Sequence, residues 1–346
     1  MAGTPKIAIV ILNWNGEKLF PKFLPSVIQY SKDENTEIIV ADNKSTDDSV
    51  NYLKKNFPEI KLIELKENYG FAKGYNEALK RVDTDYFVLL NSDVEVTENW
   101  LLPCIRQFEA DEKLAAIQPK ILSFEQKSLF EYAGAGGGFI DKFGYPFCRG
   151  RILNRIEEDL AQYNQSSPIF WASGACMFIK ADLFNSAGGF DADFWAHMEE
   201  IDLCWRLKNM GFNVLYYPKS VVYHLGGGTL SYGSPKKIYL NFRNNLFMLF
   251  KNLPKNQFKR IFLIRMILDG VAAVKFIIGL NFREFWAVVK AHASFYRNLK
   301  KLIAKRKEAQ KHVIVKEHQE VYPKSIMWKF FIERKRKFSD LNFNPK

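Results

Sequence analysis

The sequence predicts an α/β fold with a mainly parallel central sheet, followed by a basic helical C-terminal extension. Short apolar, β-branched runs alternate with helical patterns at intervals of roughly 20 to 30 residues, the rhythm of βαβ units. Several of these runs stop abruptly in polar clusters, as strands do when they deliver side chains to the ligand-binding rim of an open sheet. The charge is uneven: residues 255–346 hold 22 Lys and Arg against seven Asp and Glu, a net of +15, whereas residues 1–254 hold 28 against 31, a net of −3.

Ile7 to Leu12 is the first strand, broken by the turn residues Asn13-Trp14-Asn15-Gly16, with a helix following through about Tyr30. Glu37 to Ala41 is the second, ending in Asp42-Asn43-Lys44-Ser45-Thr46-Asp47-Asp48, whose short polar side chains can cap a helix over Ser49–Asn56. Lys61 to Leu65 is the third. Helical spacing covers Gly70–Val82, and the fourth strand, Tyr86 to Leu90, stops at Asn91-Ser92-Asp93. The three polar clusters, all within residues 1–114, then share one rim, and one ligand site can use all three. Regularity weakens over 115–254, the acceptor half, with a glycine run at Gly134–Gly138 and strand-like stretches at Cys176–Ile179 and Asn213–Tyr217. These halves form one domain, 1–254. In the tail, 255–346, the apolar stretch Ile261–Leu280 is interrupted by Arg265, Asp269 and Lys275, so an interfacial amphipathic helix is expected in place of a membrane span of about 20 apolar residues.

A hydrophobic content of 47% with 25% charged residues excludes disorder over most of the 346 positions. Cys104, Cys148, Cys176 and Cys204 form no CxxC pair, which argues against a zinc site or disulfide framework and fits a reducing cytoplasm. Met1 to Lys6 leads into an apolar run of only six residues, so no signal peptide is expected.

Three places carry candidate chemistry. Asp93 emerges from a strand where a hard oxygen ligand could hold a divalent cation; a lone Asp there also serves as a cap or turn residue. His197-Met198-Glu199-Glu200-Ile201-Asp202-Leu203-Cys204-Trp205-Arg206 opens an amphipathic helix with three carboxylates in four positions. Mutual repulsion would raise their pKa values, while the helix dipole and Arg206, one turn past Asp202, favour ionisation. Such a cluster can supply a general base, or be a solvated helix start with an ordinary Asp202–Arg206 pair. His224 precedes Gly226–Gly228, and its imidazole can complete a cation's coordination or be structural; the glycines can form a flap or a simple turn.

Taken together these segments resemble the inverting glycosyltransferase family 2, in its rhamnosyltransferase-like branch, over roughly residues 6–252. The motifs are Ile-Val-Ile-Leu-Asn-Trp-Asn-Gly at 9–16, Ala-Asp-Asn-Lys-Ser-Thr-Asp-Asp-Ser at 41–49, Asn-Tyr-Gly-Phe-Ala-Lys-Gly-Tyr-Asn at 68–76 and Leu-Leu-Asn-Ser-Asp-Val at 89–94. Ser-Gly-Ala-Cys-Met at 173–177, Gly-Gly-Phe-Asp at 188–191, Glu-Glu-Ile-Asp-Leu-Cys-Trp-Arg at 199–206 and Tyr-His-Leu-Gly-Gly-Gly at 223–228 follow in order. The resemblance implies the GT-A nucleotide-sugar-binding fold, with residues 1–114 as its nucleotide-binding half and Asn13, Asp42, Asn68, Lys73 and Asn91 around the nucleotide sugar. It implies Asp93 and His224 as ligands of Mg²⁺ or Mn²⁺, Gly174, Asp202 and Arg206 on the acceptor side, and Glu200, with Glu199 beside it, as the base. Asp42, Asp93, Glu200 and His224 are then expected around one cation-bound diphosphate. Two departures stand out: the family's Asp-x-Asp signature is Asn91-Ser92-Asp93 here, and Glu200 is one methylene longer than the usual Asp.

The implied reaction is metal-dependent inverting transfer from dTDP-rhamnose or a UDP-hexose to a glycan or polyprenyl-diphosphate-linked acceptor in surface-polysaccharide synthesis. A non-catalytic nucleotide-sugar-binding module of the same fold is the alternative. A processive synthase would carry Gln-x-x-Arg-Trp and several long spans, neither of which occurs, and an oxidoreductase would carry GxGxxG after the first strand; Gly134–Phe139 fails that pattern and lies elsewhere. The basic tail can dock on acidic phospholipid, bind RNA or solvate packed helices. The reading favours the membrane, which makes the protein peripheral on the cytoplasmic face, with no nucleic-acid partner.

Overall fold

The structure, a computed structural model, describes residues 4–226 and 234–345. Strands β1 (Ile7–Asn13), β2 (Thr36–Asp42), β3 (Lys61–Glu64) and β4 (Tyr86–Asn91) alternate with helices α1 (Phe20–Tyr30), α2 (Ser49–Asn56) and α3 (Gly70–Leu79). Ile7, Ile9 and Ile11 of β1 pack with Phe20, Leu24 and Val27 of α1, while Ala8 and Val10 pack with Ala72, Tyr75 and Ala78 of α3. Burial on both faces explains why these strands read as unbroken apolar runs. Pairing is parallel, with Asn13 opposite Asp42 and Leu12 opposite Asn91, so the polar strand ends meet on one rim.

The chain continues through β5 (Val94–Val96), α4 (Leu102–Ala110), β6 (Leu114–Ser123), β7 (Gly138–Asp141), β8 (Pro146–Cys148), β9 (Arg151–Ile152), β10 (Arg155–Ile156), β11 (Ser167–Pro168), β12 (Cys176–Lys180), α5 (Ala181–Ser186), α6 (Glu199–Asn209) and β13 (Asn213–His224). The main sheet has the order β11-β13-β6-β12-β4-β1-β2-β3, with β5 against β13. β12 is antiparallel to β4 and β6, and β13 is parallel to β6, which sets His224 opposite Ser123 and Val94 near the rim. The half read as irregular thus contains a long central strand. Pro119 conceals it: a proline argues against a central strand, and here it sits beside the β-bulge between Tyr217 and Val221 that accommodates it.

A second sheet, β10-β9-β8-β7-β14, packs beside the first and takes its last strand, β14 (Val321–Tyr322), from the far C-terminal region. The glycine run leading into β7 serves close packing: a Cβ on Gly138 would lie 2.1 Å from the Trp171 ring.

Helix α7 (Pro235–Asn252) is followed by α8 (Lys255–Ile278), α9 (Phe282–Arg297), α10 (Leu299–Lys311) and α11 (Ile326–Phe331). Pro254, after which the extension is expected to begin, separates α7 from α8. The chain beyond it folds back on the first 254 residues: β14 pairs with β7, buried Lys208 and Glu320 meet at 2.9 Å, and Phe338 and Phe343 pack on Phe139 and Phe147. Among the described residues no helix is long and apolar enough to cross a membrane. All four cysteines are buried and unpaired.

Candidate active site

One cavity of about 580 Å³, a size typical of small-molecule sites, opens where the strand rim meets α6, α7 and α8. Its nucleotide-side wall comes from the ends of β1 and β2 and the start of α3. Trp14 and Asn15 line it with Asn43, Asn68 and Gly70; Asn43 Nδ2 donates to Asn68 Oδ1 at 3.1 Å and to the Gly70 carbonyl at 3.0 Å. Asn13 and Asp42 lie beneath this wall. The Asn13 amide donates to Asp42 Oδ1 at 2.9 Å and to the Ser45 and Ser49 hydroxyls at 3.1 Å, and Asp42 also accepts from Ser45. Their polarity goes into shaping the turns that carry Trp14 and Asn43. Lys73 also stands off the lining, over the Tyr69 ring at 4.0 Å and 3.7 Å from Glu67.

A second corner gathers Asn91, Ser92, Asp93, Glu131 and His224. His224 Nε2 stands 3.1 Å from Asp93 Oδ1 and 3.3 Å from the Asn91 amide, and its Nδ1 faces Glu131 Oε2 at 3.4 Å. Burial disfavours a charged ring, yet the Asp93 and Glu131 carboxylates outweigh it and raise His224 to about 10. Burial likewise opposes the Asp93 charge, but His224 prevails and the carboxyl lies below its usual range. On giving up one proton, His224 would keep an N–H toward Glu131 and offer Nε2 to a cation beside Asp93, as metal-bound histidines do. Among the described residues no three His, Cys, Asp or Glu side chains form a metal cage on their own. Mg²⁺ seldom uses one, since it takes one or two carboxylates and completes its shell with water and substrate phosphates. Asp93 with His224 fits that use. Glu131 lies in the stretch that read as irregular, and nothing in the sequence marked it.

The third corner is the start of α6, where Glu199 and Glu200 line the cavity, each with Oε2 buried and without a hydrogen-bond partner. The preceding residues Trp195, His197 and Met198 all have positive φ, at 62°, 71° and 73°, a conformation that side chains rarely adopt. Two anchors hold them. Asn244 of α7, fully buried, donates from Nδ2 to the carbonyls of Phe194, Ala196 and His197 at 2.9, 2.8 and 2.7 Å, and the Trp195 carbonyl accepts from the Phe71 and Ala72 amides at the start of α3. Burial pushes Glu200 up to about 7, while backbone hydrogen bonds at the helix start restrain the rise. Glu199 stands well above the ordinary range, by burial first and then by repulsion from Glu200. Desolvation therefore outranks the mutual repulsion expected from the sequence.

Asp202 and Arg206 do not reach the cavity. Asp202 is completely buried and accepts from Arg206 Nε at 2.9 Å, Lys251 Nζ at 2.8 Å and Asn252 Nδ2 at 2.8 Å, fastening α6 to α7. Arg206 also donates to the Ala187 and Gly189 carbonyls. Removing one member of such a buried network leaves the others uncompensated. Asp202→Ala is expected to destabilise the protein by about 3 kcal/mol or more, measured as a lower denaturation midpoint. Gly174 does line the cavity, where a Cβ would meet the Phe71 ring at 3.0 Å. Gly226 lines it too, and Gly227 and Gly228 lie outside the described residues.

Of the expected quartet, Asp93, Glu200 and His224 share this cavity, and Asp42 stands apart because its carboxylate is committed to Asn13 and Ser45.

The profile of glycosyl transferase family 2 matches residues 8–186, half the chain. Rhamnosyltransferase WbbL of Escherichia coli is 27% identical over 221 residues, covering 61% of this chain and 80% of that one. The N-acetylglucosaminyl-diphospho-decaprenol L-rhamnosyltransferase of Mycobacterium tuberculosis is 21% identical, covering 64% and 76%. O-antigen biosynthesis protein RfbC of Myxococcus xanthus is 25% identical, and the chain spans only 17% of its length. Among solved structures, the mannosyltransferase PcManGT of Pyrobaculum calidifontis, in complex with GDP-Man and Mn²⁺, superposes with a TM-score of 0.52 over 89% of this chain and 86% of that one, at 14% identity. The profile match over half of its length shows that the chain belongs to glycosyl transferase family 2, and it is similar to rhamnosyltransferases within it.

Proposed function

We propose that the protein is an inverting hexosyltransferase that moves a sugar from a nucleotide donor, dTDP-rhamnose or a UDP-hexose, to a lipid-linked glycan. The observation carrying this reading is that Asp93 with His224 and the raised-pKa carboxylate of Glu200 line the same cavity as Asn43, Asn68 and Trp14. Asn68, braced by Asn43, offers its amide nitrogen to the nucleotide, and the half-exposed Trp14 ring offers a stacking face for its base. Asp93 and His224 would hold Mg²⁺ or Mn²⁺, which when bound offsets negative charge on the departing diphosphate. Glu200 Oε2, desolvated and without a partner, accepts the proton as the acceptor oxygen bonds to the sugar's anomeric carbon. The carbon–oxygen bond to the diphosphate breaks on the opposite face, and the nucleoside diphosphate leaves with that electron pair. Mn²⁺ in the PcManGT complex and the diphospho-decaprenol acceptor in the mycobacterial relative's name support the cation and the lipid.

A panel of nucleotide sugars assayed for nucleoside diphosphate release, with and without EDTA, tests this. Release from one donor that stops with EDTA is expected; nucleotide binding without release under any condition would mean a binding module.

The acceptor's lipid calls for a membrane, and the outer surface of α8, α9 and α11 supports that placement. Leu263, Ile267, Val271, Val274 and Ile278 of α8, Phe282 and Trp286 of α9, and Trp328 and Phe331 of α11 are exposed. Lys255, Lys259, Arg260, Arg283 and Lys290 lie on the same helices, a combination that suits the anionic inner leaflet. The protein should float with anionic vesicles at low salt, and less so after Ile267→Glu with Trp286→Glu; indifference to both salt and these changes would remove the membrane placement.

A further inference from the structure

Helix α8 buries an arginine and an aspartate on its inner face while exposing apolar side chains on its outer face. Ile261, Arg265, Asp269 and Ala273 form a buried row, whereas Leu263, Ile267, Val271, Val274 and Ile278 form an opposite row between 55% and 77% exposed. Helices in water bury apolar residues and expose charges, and charges turned inward are costly unless partnered. Partnering here is incomplete. Arg265 Nε donates to Asp269 Oδ1 at 2.8 Å, Asp269 Oδ2 meets His292 Nε2 at 3.2 Å, and the guanidinium lies 3.8 Å from the Tyr145 ring centroid. Arg265 Nη1 is buried without a hydrogen-bond partner, and Arg265 lines the same cavity as Asp93 and Glu200.

The surroundings say what this nitrogen is for. Arg151 and Lys237 line the same cavity, and so does Asn245, whose Oδ1 is also buried and unpartnered. The two carboxylates that act on Arg265 are engaged, Asp269 by Arg265 and His292 and Asp141 by the Phe143, Tyr145 and Ile326 amides. Of the acids lining the cavity, Asp93 is engaged by His224, Glu131 by His224 and the Ala133 amide, and Glu199 and Glu200 stand at the start of α6. A planar guanidinium with a free N–H favours phosphate, and a free amide oxygen beside it favours a hydroxyl or N–H donor. Both demands are met by a sugar joined to a phosphate.

We propose that Arg265 and Asn245 form the acceptor subsite, with Arg265 binding the phosphate that links the acceptor sugar to its lipid. This rests on the transferase reading. It also accounts for the buried charges: the inner face of α8 holds the headgroup phosphate while its outer face rests on the bilayer, one helix diameter, ~10 Å, away. The extension is thereby part of the acceptor site, and sugar transfer occurs at the membrane surface.

Farnesyl diphosphate, with farnesol as the uncharged control, probes the subsite by calorimetry while UDP or dTDP and Mn²⁺ fill the donor side. Two proteins are compared, the wild type and Arg265→Gln with Asp269→Asn, which removes both charges together so that neither is stranded. The expected result is binding of farnesyl diphosphate over farnesol by the wild type and a loss of about tenfold or more in the folded double variant, with nucleotide affinity unchanged. Equal affinity in the two proteins, or equal affinity for farnesol, would overturn the assignment. Should the double variant melt before the assay, Asn245→Ala with Arg265→Lys replaces it, judged by the same loss. Nucleoside diphosphate release persisting without any farnesyl diphosphate binding would remove this subsite and leave the transferase reading standing.

Discussion

Glu200→Gln is expected to lower kcat by about 10³-fold while leaving donor affinity within a few fold, because proton removal by a placed base contributes roughly 10²–10⁴ to rate and little to ground-state binding. Wild-type activity should climb with pH and level off above about 7, where burial has set the Glu200 carboxyl. Stability should run the other way. A carboxyl whose pKa is raised on folding favours the protonated fold, so its cost appears as pH rises from the unfolded value of 4.5 to the folded value of about 7. Above that range Glu200→Gln should melt higher than the wild type. A variant that is both inactive and less stable at every pH would assign Glu200 to the architecture. Glu199→Gln separates the two neighbours, since it should lose far less activity if Glu200 accepts the proton.

Asp93→Ala is expected to cost about 10²–10³-fold in kcat/KM and to raise the Mn²⁺ concentration needed for half-maximal activity, with folding intact. Its carboxylate is the charged group of the Asn91-Ser92-Asp93 turn and stands beside His224 Nε2, while Glu131 faces the opposite ring nitrogen. His224→Ala should move the same way by less, since phosphate oxygens and water can replace one imidazole. An Asp93→Ala enzyme with wild-type Mn²⁺ dependence would place the cation elsewhere.

The nucleotide-side strands were legible because each is buried on both faces and ends in a polar turn, so composition and position agreed: Ile7–Leu12, Glu37–Ala41, Lys61–Leu65 and Tyr86–Leu90 all lie within or overlap observed strands. Asp93, Glu200 and His224 stand out in the sequence as polar residues at the ends or starts of elements, the resemblance is what gives them roles, and the structure brings the three to one cavity. Asp42 and Asp202 were equally conspicuous in sequence, yet each spends its carboxylate on structural bonds, to Ser45 and Asn13 or to Arg206 and Lys251, and one sequence does not tell a spent carboxylate from a free one. Glu131, Asn244 and Arg265 lacked any local signal. Each acts through contacts made across more than 20 residues of chain or across the cavity, and Arg265 even looked like a simple interruption of an apolar stretch. The two-residue strands of the small sheet were too short for any periodicity to appear.

The most direct test of the site is a crystal of the protein grown with Mn²⁺ and a nucleoside diphosphate, examined by anomalous scattering at the manganese edge. The expected result is a single manganese peak within bonding distance of Asp93 and His224, shared with the diphosphate, with Glu200 facing the vacant side of the cavity. Manganese and nucleotide bound away from this cavity would contradict the account.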